Sequence, residues 1–252
     1  MWDLASGKDV SIGQRQLLQH DRAVKCVFWV NDLNLCVTGS WDKTVKYWDT
    51  RQASPAGVTT LKERVYAMDV NSPAAIVATA ERHIQILDFR KPSTPVRSTL
   101  SILKFQSRSV AIFPDRTGYC IGSVEGRVGV CAIGERDEKA NFTFKCHRKD
   151  PDIYAVNSIK FHYGEGTFAT AGSDGFFYFW DKESKQRLKE FKQLDTSISA
   201  TAFNRDGSLF AYAVSYDWGK FFEHPDLNAK SNQIYLHEVK PQEVQKRPKK
   251  PP

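Results

Sequence analysis

The sequence predicts an all-β chain of repeated four-stranded sheets stacked around an axis, a β-propeller, and three observations carry that prediction. A Trp-Asp pair or a degenerate stand-in closes an alternating apolar run near residues 2, 48, 87, 131, 180 and 236, at spacings of 46, 39, 44, 49 and 56. Between these markers one order recurs: strand, strand, tight turn, strand. Helical periodicity is almost absent. A lone four-stranded sheet cannot bury both faces, whereas radial stacking buries them and leaves only short, protected edges.

The elements follow in order. First strands are predicted at 24–29, 65–70, 109–113, 157–161 and 199–203, and second strands at 35–39, 76–80, 119–122, 168–171 and 209–214. The third strands carry the marker: Val45-Lys46-Tyr47-Trp48-Asp49, Ile84-Gln85-Ile86-Leu87-Asp88, Val128-Gly129-Val130-Cys131-Ala132, Phe177-Tyr178-Phe179-Trp180-Asp181 and Gln233-Ile234-Tyr235-Leu236-His237. Asp174-Gly175, Asp206-Gly207 and Glu125-Gly126 supply turns in which Gly takes positive φ most easily. Residues 137–140 and 182–192 read as inter-strand loops. The period matches the WD repeat, ~40–45 residues with four strands per blade. Five full repeats are present, and the chain opens on the end of a repeat, so an N-terminally truncated seven-bladed ring is expected. The propeller is assigned to 1–239.

Residues 240–252 carry five bases (Lys240, Lys246, Arg247, Lys249, Lys250) against Glu243, with four prolines, and read as a disordered basic tail. That tail holds +4 of the net +7, so the body is only mildly basic. The composition, 41% hydrophobic and 26% charged over 252 residues, is that of a globular chain. No apolar run approaches the ~20 residues of a membrane span, so no membrane insertion is expected. Five scattered cysteines without a C-x-x-C pair predict free, mostly buried thiols.

No constellation of catalytic residues emerges, so the chain is read as a binding scaffold and not an enzyme, with no cofactor and no metal. The six histidines lack ligand spacing. Gly164-Glu165-Gly166-Thr167-Phe168-Ala169 fits G-x-G-x-x-A, but a strand follows where a dinucleotide site needs a helix, so it reads as a hairpin turn. Gly122-Ser123-Val124-Glu125-Gly126 has its Ser in the wrong place for a nucleophile elbow. His20, Ser40, Asp42 and Trp48 match the hydrogen-bonded structural tetrad of WD repeats. The corresponding group in the fourth full repeat is His147, Asp174 and Trp180, with the Ser displaced to Ser173. Three segments are more informative: Phe142-Thr143-Phe144-Lys145-Cys146-His147-Arg148, which mixes aromatics and bases; Glu125-Gly126-Arg127, an Arg just after a turn; and the basic run Lys182, Lys185, Arg187, Lys189, Lys192. That run follows the inner WD strand and is expected on a propeller face.

The residues 39–51, Val77-Ala78-Thr79-Ala80-Glu81-Arg82, 122–128, 141–148, Asp152-Ile153-Tyr154-Ala155-Val156-Asn157 and Ser215-Tyr216-Asp217-Trp218 resemble the messenger-RNA export factors of the Rae/Gle family, over 1–239. The related spindle-checkpoint propellers of the Bub family share the E-G-R turn, the F-K-C-H-R segment and the G-S-D-G turn. Glu223-His224-Pro225 is nearer the checkpoint pattern, while Ser-Tyr-Asp-Trp and the Asn-Phe-Thr-Phe lead-in favour the export factor. The resemblance implies a seven-bladed propeller at the nuclear pore, in nucleus and cytoplasm, that binds the GLEBS hairpin of an FG-repeat nucleoporin. It also admits a mitotic spindle role, and its alternative is a checkpoint propeller binding GLEBS motifs of checkpoint kinases. The implied contact surface is Arg127, Phe144, Trp180, Asp181, Lys182, Lys185 and Arg187, with Arg127 meeting a Glu of the hairpin. RNA contact is expected to be weak and salt-sensitive, since the body's charge is small.

Overall fold

The structure, a computed structural model, describes residues 2–3, 6, 8–9, 19–52, 54–219 and 232–248. Five antiparallel sheets follow one another along the chain. Blade 1 comprises Val24–Val30, Leu35–Ser40, Thr44–Trp48 and Gly57–Thr60, and blade 2 comprises Val65–Asn71, Ala74–Thr79, His83–Asp88 and Arg97–Leu100. Blade 3 is Ser107–Ile112, Gly118–Ser123, Arg127–Ala132 and Phe142–Lys145; blade 4 is Val156–Phe161, Phe168–Gly172, Phe177–Asp181 and Gln186–Glu190. Blade 5 has three described strands, Ile198–Phe203, Leu209–Val214 and Gln233–Glu238. The all-β propeller read from the repeats is therefore the fold. Within each blade the strands pair in sequence order.

The first strands contact one another from blade to blade, so they are innermost. The strand bearing the Trp-Asp marker is third, which corrects its expected inner position. Cross-blade bonds join like positions: Ser109 Oγ donates to Val156 O at 2.9 Å, and the Ser158 and Thr201 hydroxyls lie 2.8 Å apart. The first strands thus run side by side in one direction. One end, the upper face, carries their starts and the turns between second and third strands. The lower face carries the other turns and the third-to-fourth-strand loops.

Alternation explains the core. Side chains of period 2 point into the gap on each side of a blade. Val37, Val45 and Tyr47 meet Val65, Val77 and Leu87 between blades 1 and 2. Ile76 and Ile84 meet Val110 and Ile121 in the next gap, Val128 and Cys120 meet Phe161 and Phe168 in the third, and Phe177 and Phe179 meet Ile198 and Phe210 in the fourth. Each such side chain, fully buried, contributes about 1.5–3 kcal/mol. The expected turn glycines have positive φ: Gly126 at 62°, Gly175 at 76° and Gly207 at 78°.

Three expectations change. Glu135–Ala140 is a 3-10 helix, not an irregular loop, and residues 186–190 of the basic run form the outer strand of blade 4. The tail also differs, because Pro241–Val244 forms one helical turn packed on blade 4. Val239 and Val244 are buried among Phe177, Phe179 and Phe210, and Thr167 Oγ1 donates to Val244 O at 2.8 Å. Val244 in the Pro-rich basic segment, with Val239 just before it, suffices to seat it, so disorder does not begin at Lys240. Lys249 and Lys250 lie outside the described residues, as does Glu223-His224-Pro225. Among the described residues no helix is long and apolar enough to cross a membrane, and no group of His, Cys, Asp and Glu could hold a metal ion.

Candidate functional site

The polar groups at the marker positions are held by the fold. In blade 1 the His20 ring sits 2.7 Å from Asp42 Oδ2 through Nδ1 and 2.6 Å from Thr38 Oγ1 through Nε2, and Trp48 Nε1 donates to Thr38 Oγ1 at 2.7 Å. Blade 4 repeats the set: His147 with Asp174 at 2.9 Å and Thr170 at 2.9 Å, and Trp180 Nε1 to Thr170 at 2.8 Å. The hydroxyl member is Thr38, not Ser40, and Thr170, not Ser173. Ser40 instead donates to Ala23 O at 3.1 Å and accepts from Asp42 N–H. Thr38 and Ser40 lie two apart on one strand, hence on one face, and only the register of the neighbouring strand separates them. Burial disfavours the Asp42 carboxylate, but bonds from Thr44, His20 and the Asp21 N–H outweigh it and hold its pKa below the ordinary range.

The sequence-predicted contact residues divide into two groups. In blade 3, Arg127 pairs with Lys145 and Val128 with Phe144. Partners directly opposite share a face, so Arg127 and Phe144 lie on opposite faces of the sheet. Val128 and Phe144 face blade 4, where the Phe144 and Trp180 rings lie 4.7 Å apart. Gly129, on the Arg127 side, backs onto Ile102 beyond blade 2.

Phe144, Trp180, Lys182 and Lys185 belong to the seam between blades 3 and 4. A groove of about 440 Å³ opens there, lined by Phe113, Val130, Phe142, Lys182, Glu183 and Lys185, among others. The Lys182 ammonium sits 4.8 Å from the Phe113 ring centre and Lys185 4.5 Å from that of Phe142, which fixes both cations over aromatic faces. Arg187 lies over Tyr178 at 5.3 Å and pairs with Glu190 at 2.6 Å. Asp181 is buried and accepts from Glu183 N–H, Ser184 Oγ and Arg247 N–H, so its carboxylate caps the loop. Trp180 spends its only donor on Thr170.

Arg127 stands at the upper end of blade 3, beside Glu125 at 3.6 Å, with its side chain 30% exposed. Sequence reasoning missed its neighbour Arg148, whose Nε donates to Gly126 O at 3.2 Å and whose Nη2 bonds Glu125 O. The signal was present in the F-K-C-H-R segment. Four of the five cysteines are buried and all are free; burial pushes the Cys26 and Cys131 thiols up to about 11, which disfavours thiolate chemistry there.

The family model for the WD domain, G-beta repeat, matches residues 13–49 and 138–181. The chain is 48% identical over 250 residues to the poly(A)+ RNA export protein of Schizosaccharomyces pombe, covering 96% of this chain and 71% of that one. It is 44% identical over 253 residues to the mRNA export factor GLE2 of Chaetomium thermophilum, covering 98% and 69%. The chain belongs to the Rae1/Gle2 family of mRNA export factors. A mitotic checkpoint protein of Arabidopsis thaliana, BUB3.1, is 42% identical over 251 residues, covering 95% and 73%, so the sister propellers are also within reach of this sequence.

Proposed function

We propose that this chain is a non-enzymatic adaptor in nuclear export of messenger RNA, and that it holds the GLEBS hairpin of an FG-repeat nucleoporin at the nuclear pore. The carrying observation is Arg127: a partly exposed guanidinium on the upper face, opposed among the described residues by a loose 3.6 Å contact to Glu125 and with Arg148 anchored beside it. A guanidinium in that setting can pair bidentately with an incoming carboxylate. The names of the relatives support the export role, and the tetrads support a scaffold because their His, Asp and hydroxyl groups are engaged with one another. The Phe144–Trp180 seam with Lys182, Lys185 and Arg187 is a second contact surface for acidic groups of a peptide or of RNA, with salt-sensitive affinity. The chain works at the nuclear envelope and in nucleus and cytoplasm, with spindle proteins as further partners.

Removing one member of a desolvated charged pair typically costs ~2–5 kcal/mol, so Arg127→Ala should weaken a synthetic GLEBS peptide about 30-fold or more at unchanged melting temperature. Calorimetric titration reads this directly, and undiminished affinity in the folded variant overturns the placement. Affinity purification from cells should recover an FG nucleoporin. Recovery of checkpoint kinases alone would move the chain to the sister function.

A further inference from the structure

The Ser215-Tyr216-Asp217-Trp218 segment has no part in the reading above, yet it is firmly anchored on the upper face. It leaves the second strand of blade 5 at Val214 and reaches across to two other blades. Asp217 Oδ2 accepts from Asn157 Nδ2 at 2.8 Å and from the Ser173 hydroxyl, both of blade 4, and Oδ1 accepts from Gly219 N–H at 3.0 Å. Its backbone carbonyl accepts from Arg108 Nη2 of blade 3 at 3.1 Å, and Arg108 Nε donates to Asn157 Oδ1 at 3.2 Å. Burial alone would raise the Asp217 pKa, but the bonds from Ser173, Asn157 and Gly219 and the charge of Arg108 lower it.

What this anchoring presents is an indole. Trp218 has φ +61°, a conformation bulky L residues rarely adopt, and is 62% exposed, more than Trp29 or Trp41. Tyr216 lies beside it, ring centres 5.7 Å apart. Tying three blades together needs Asp217 but not an exposed, strained tryptophan, and such strain gathers where a ligand is gripped. The position also matters. Arg108 starts from the first, innermost strand of blade 3, Arg127 from its third, and Arg148 follows its fourth. The upper end of blade 3 is thus a radial row of guanidiniums that leads inward to Tyr216 and Trp218.

We infer that Trp218 is an apolar subsite of the same peptide site: an acidic hairpin seated on Arg127 runs inward along blade 3 and lays an apolar residue on the indole. Charge complementarity selects the occupant, since Arg108, Arg127 and Arg148 outnumber the carboxylates of Glu125 and Asp217 at this end of the blade, so the excess is positive, and the aromatic pair at its inner end calls for an apolar side chain. A truncated interface tryptophan commonly behaves as a hot spot. This inference rests on the Arg127 reading and adds one subsite to it.

The test is titration of the GLEBS peptide against the parent chain, Trp218→Ala and Arg127→Ala, with hydroxyl-radical footprinting of Trp218 in the parent. Expected are a loss of tenfold or more for Trp218→Ala at unchanged melting temperature, and protection of the indole when the peptide is bound. If Arg127→Ala weakens binding while Trp218→Ala does not, and the indole is oxidised equally with and without peptide, the subsite is overturned and the Arg127 reading stands. If Arg127→Ala binds as tightly as the parent, that reading falls and takes this extension with it. Should Trp218→Ala fail to fold, footprinting of the parent still decides.

Discussion

Blades 1 and 4 and blades 2 and 3 share one backbone plan but fill the same two positions with opposite chemistry. Where blade 1 has Thr38 beneath Trp48 and blade 4 has Thr170 beneath Trp180, the pairing register puts Val77 and Leu87 in blade 2 and Ile121 and Cys131 in blade 3. All four replacements are buried. A buried His, hydroxyl and indole N–H are tolerable only when each finds a partner, and a fully apolar filling needs none. The blade geometry therefore does not depend on the tetrad. What the tetrad adds is direction, because hydrogen bonds fix the upper turn of blades 1 and 4 to their third strands, whereas contacts between Val, Leu and Ile are indifferent to orientation.

Several substitutions would break or sharpen this contrast. Trp48→Ala should have the largest effect, about 3–5 kcal/mol of stability in chemical denaturation, since it opens a cavity and removes one of the two bonds of the Thr38 hydroxyl. Leu87→Ala, at the same position of an apolar blade, should cost about 2–5 kcal/mol through the cavity alone. Thr38→Val should cost about 1–3 kcal/mol by leaving the buried Trp48 indole N–H and the His20 ring nitrogen that faces Thr38 without a partner, and Val77→Thr should cost a similar amount in blade 2 by burying a hydroxyl without a partner. Equal tolerance of valine and threonine at both sites would dissolve the distinction. Ser40→Ala should fall below Thr38→Val, about 0.5–1.5 kcal/mol, and the reverse order would restore Ser40 as the tetrad hydroxyl.

The smallest effect is in pH. The Asp42 carboxyl titrates lower in the folded chain than in the unfolded one, so its contribution is complete above the ordinary carboxylate range, near pH 4, and is lost as pH falls through the depressed folded value. Asp42→Asn should flatten that acid limb in melts between neutral pH and pH 3, while a blade 2 variant such as Leu87→Ala should leave its shape unchanged.

These pairs also show what the sequence could disclose. Strand positions were legible because alternation writes itself into Val45-Lys46-Tyr47-Trp48 or Phe177-Tyr178-Phe179-Trp180, and Gly126 and Gly175 mark turns whose φ few other residues accept. Which hydroxyl meets the indole was not, since Thr38 and Ser40 share a face and differ only in cross-strand register. The same limit scattered the proposed contact residues. Arg127 and Phe144 are close in any list of motifs, but the pairing of the outer strand sets them back to back. The seat of Val244 was hidden for another reason: two valines do not make a periodic pattern, and their burial depends on the aromatic seam between blades 4 and 5.

That seat gives the C-terminal segment a life in time as well as a place. The Arg247 amide donates to Asp181 Oδ2, and that bond persists only while the one-turn helix is docked. A short strap with two apolar anchors opens far more often than the whole chain unfolds. Each opening releases the Asp181 carboxylate from Arg247 and lays bare the edge of the Phe177–Phe210 seam. Hydrogen exchange at Arg247 should therefore run ahead of exchange at Phe179, and a protease that cuts near Gln245 should find its substrate in that fleeting open state.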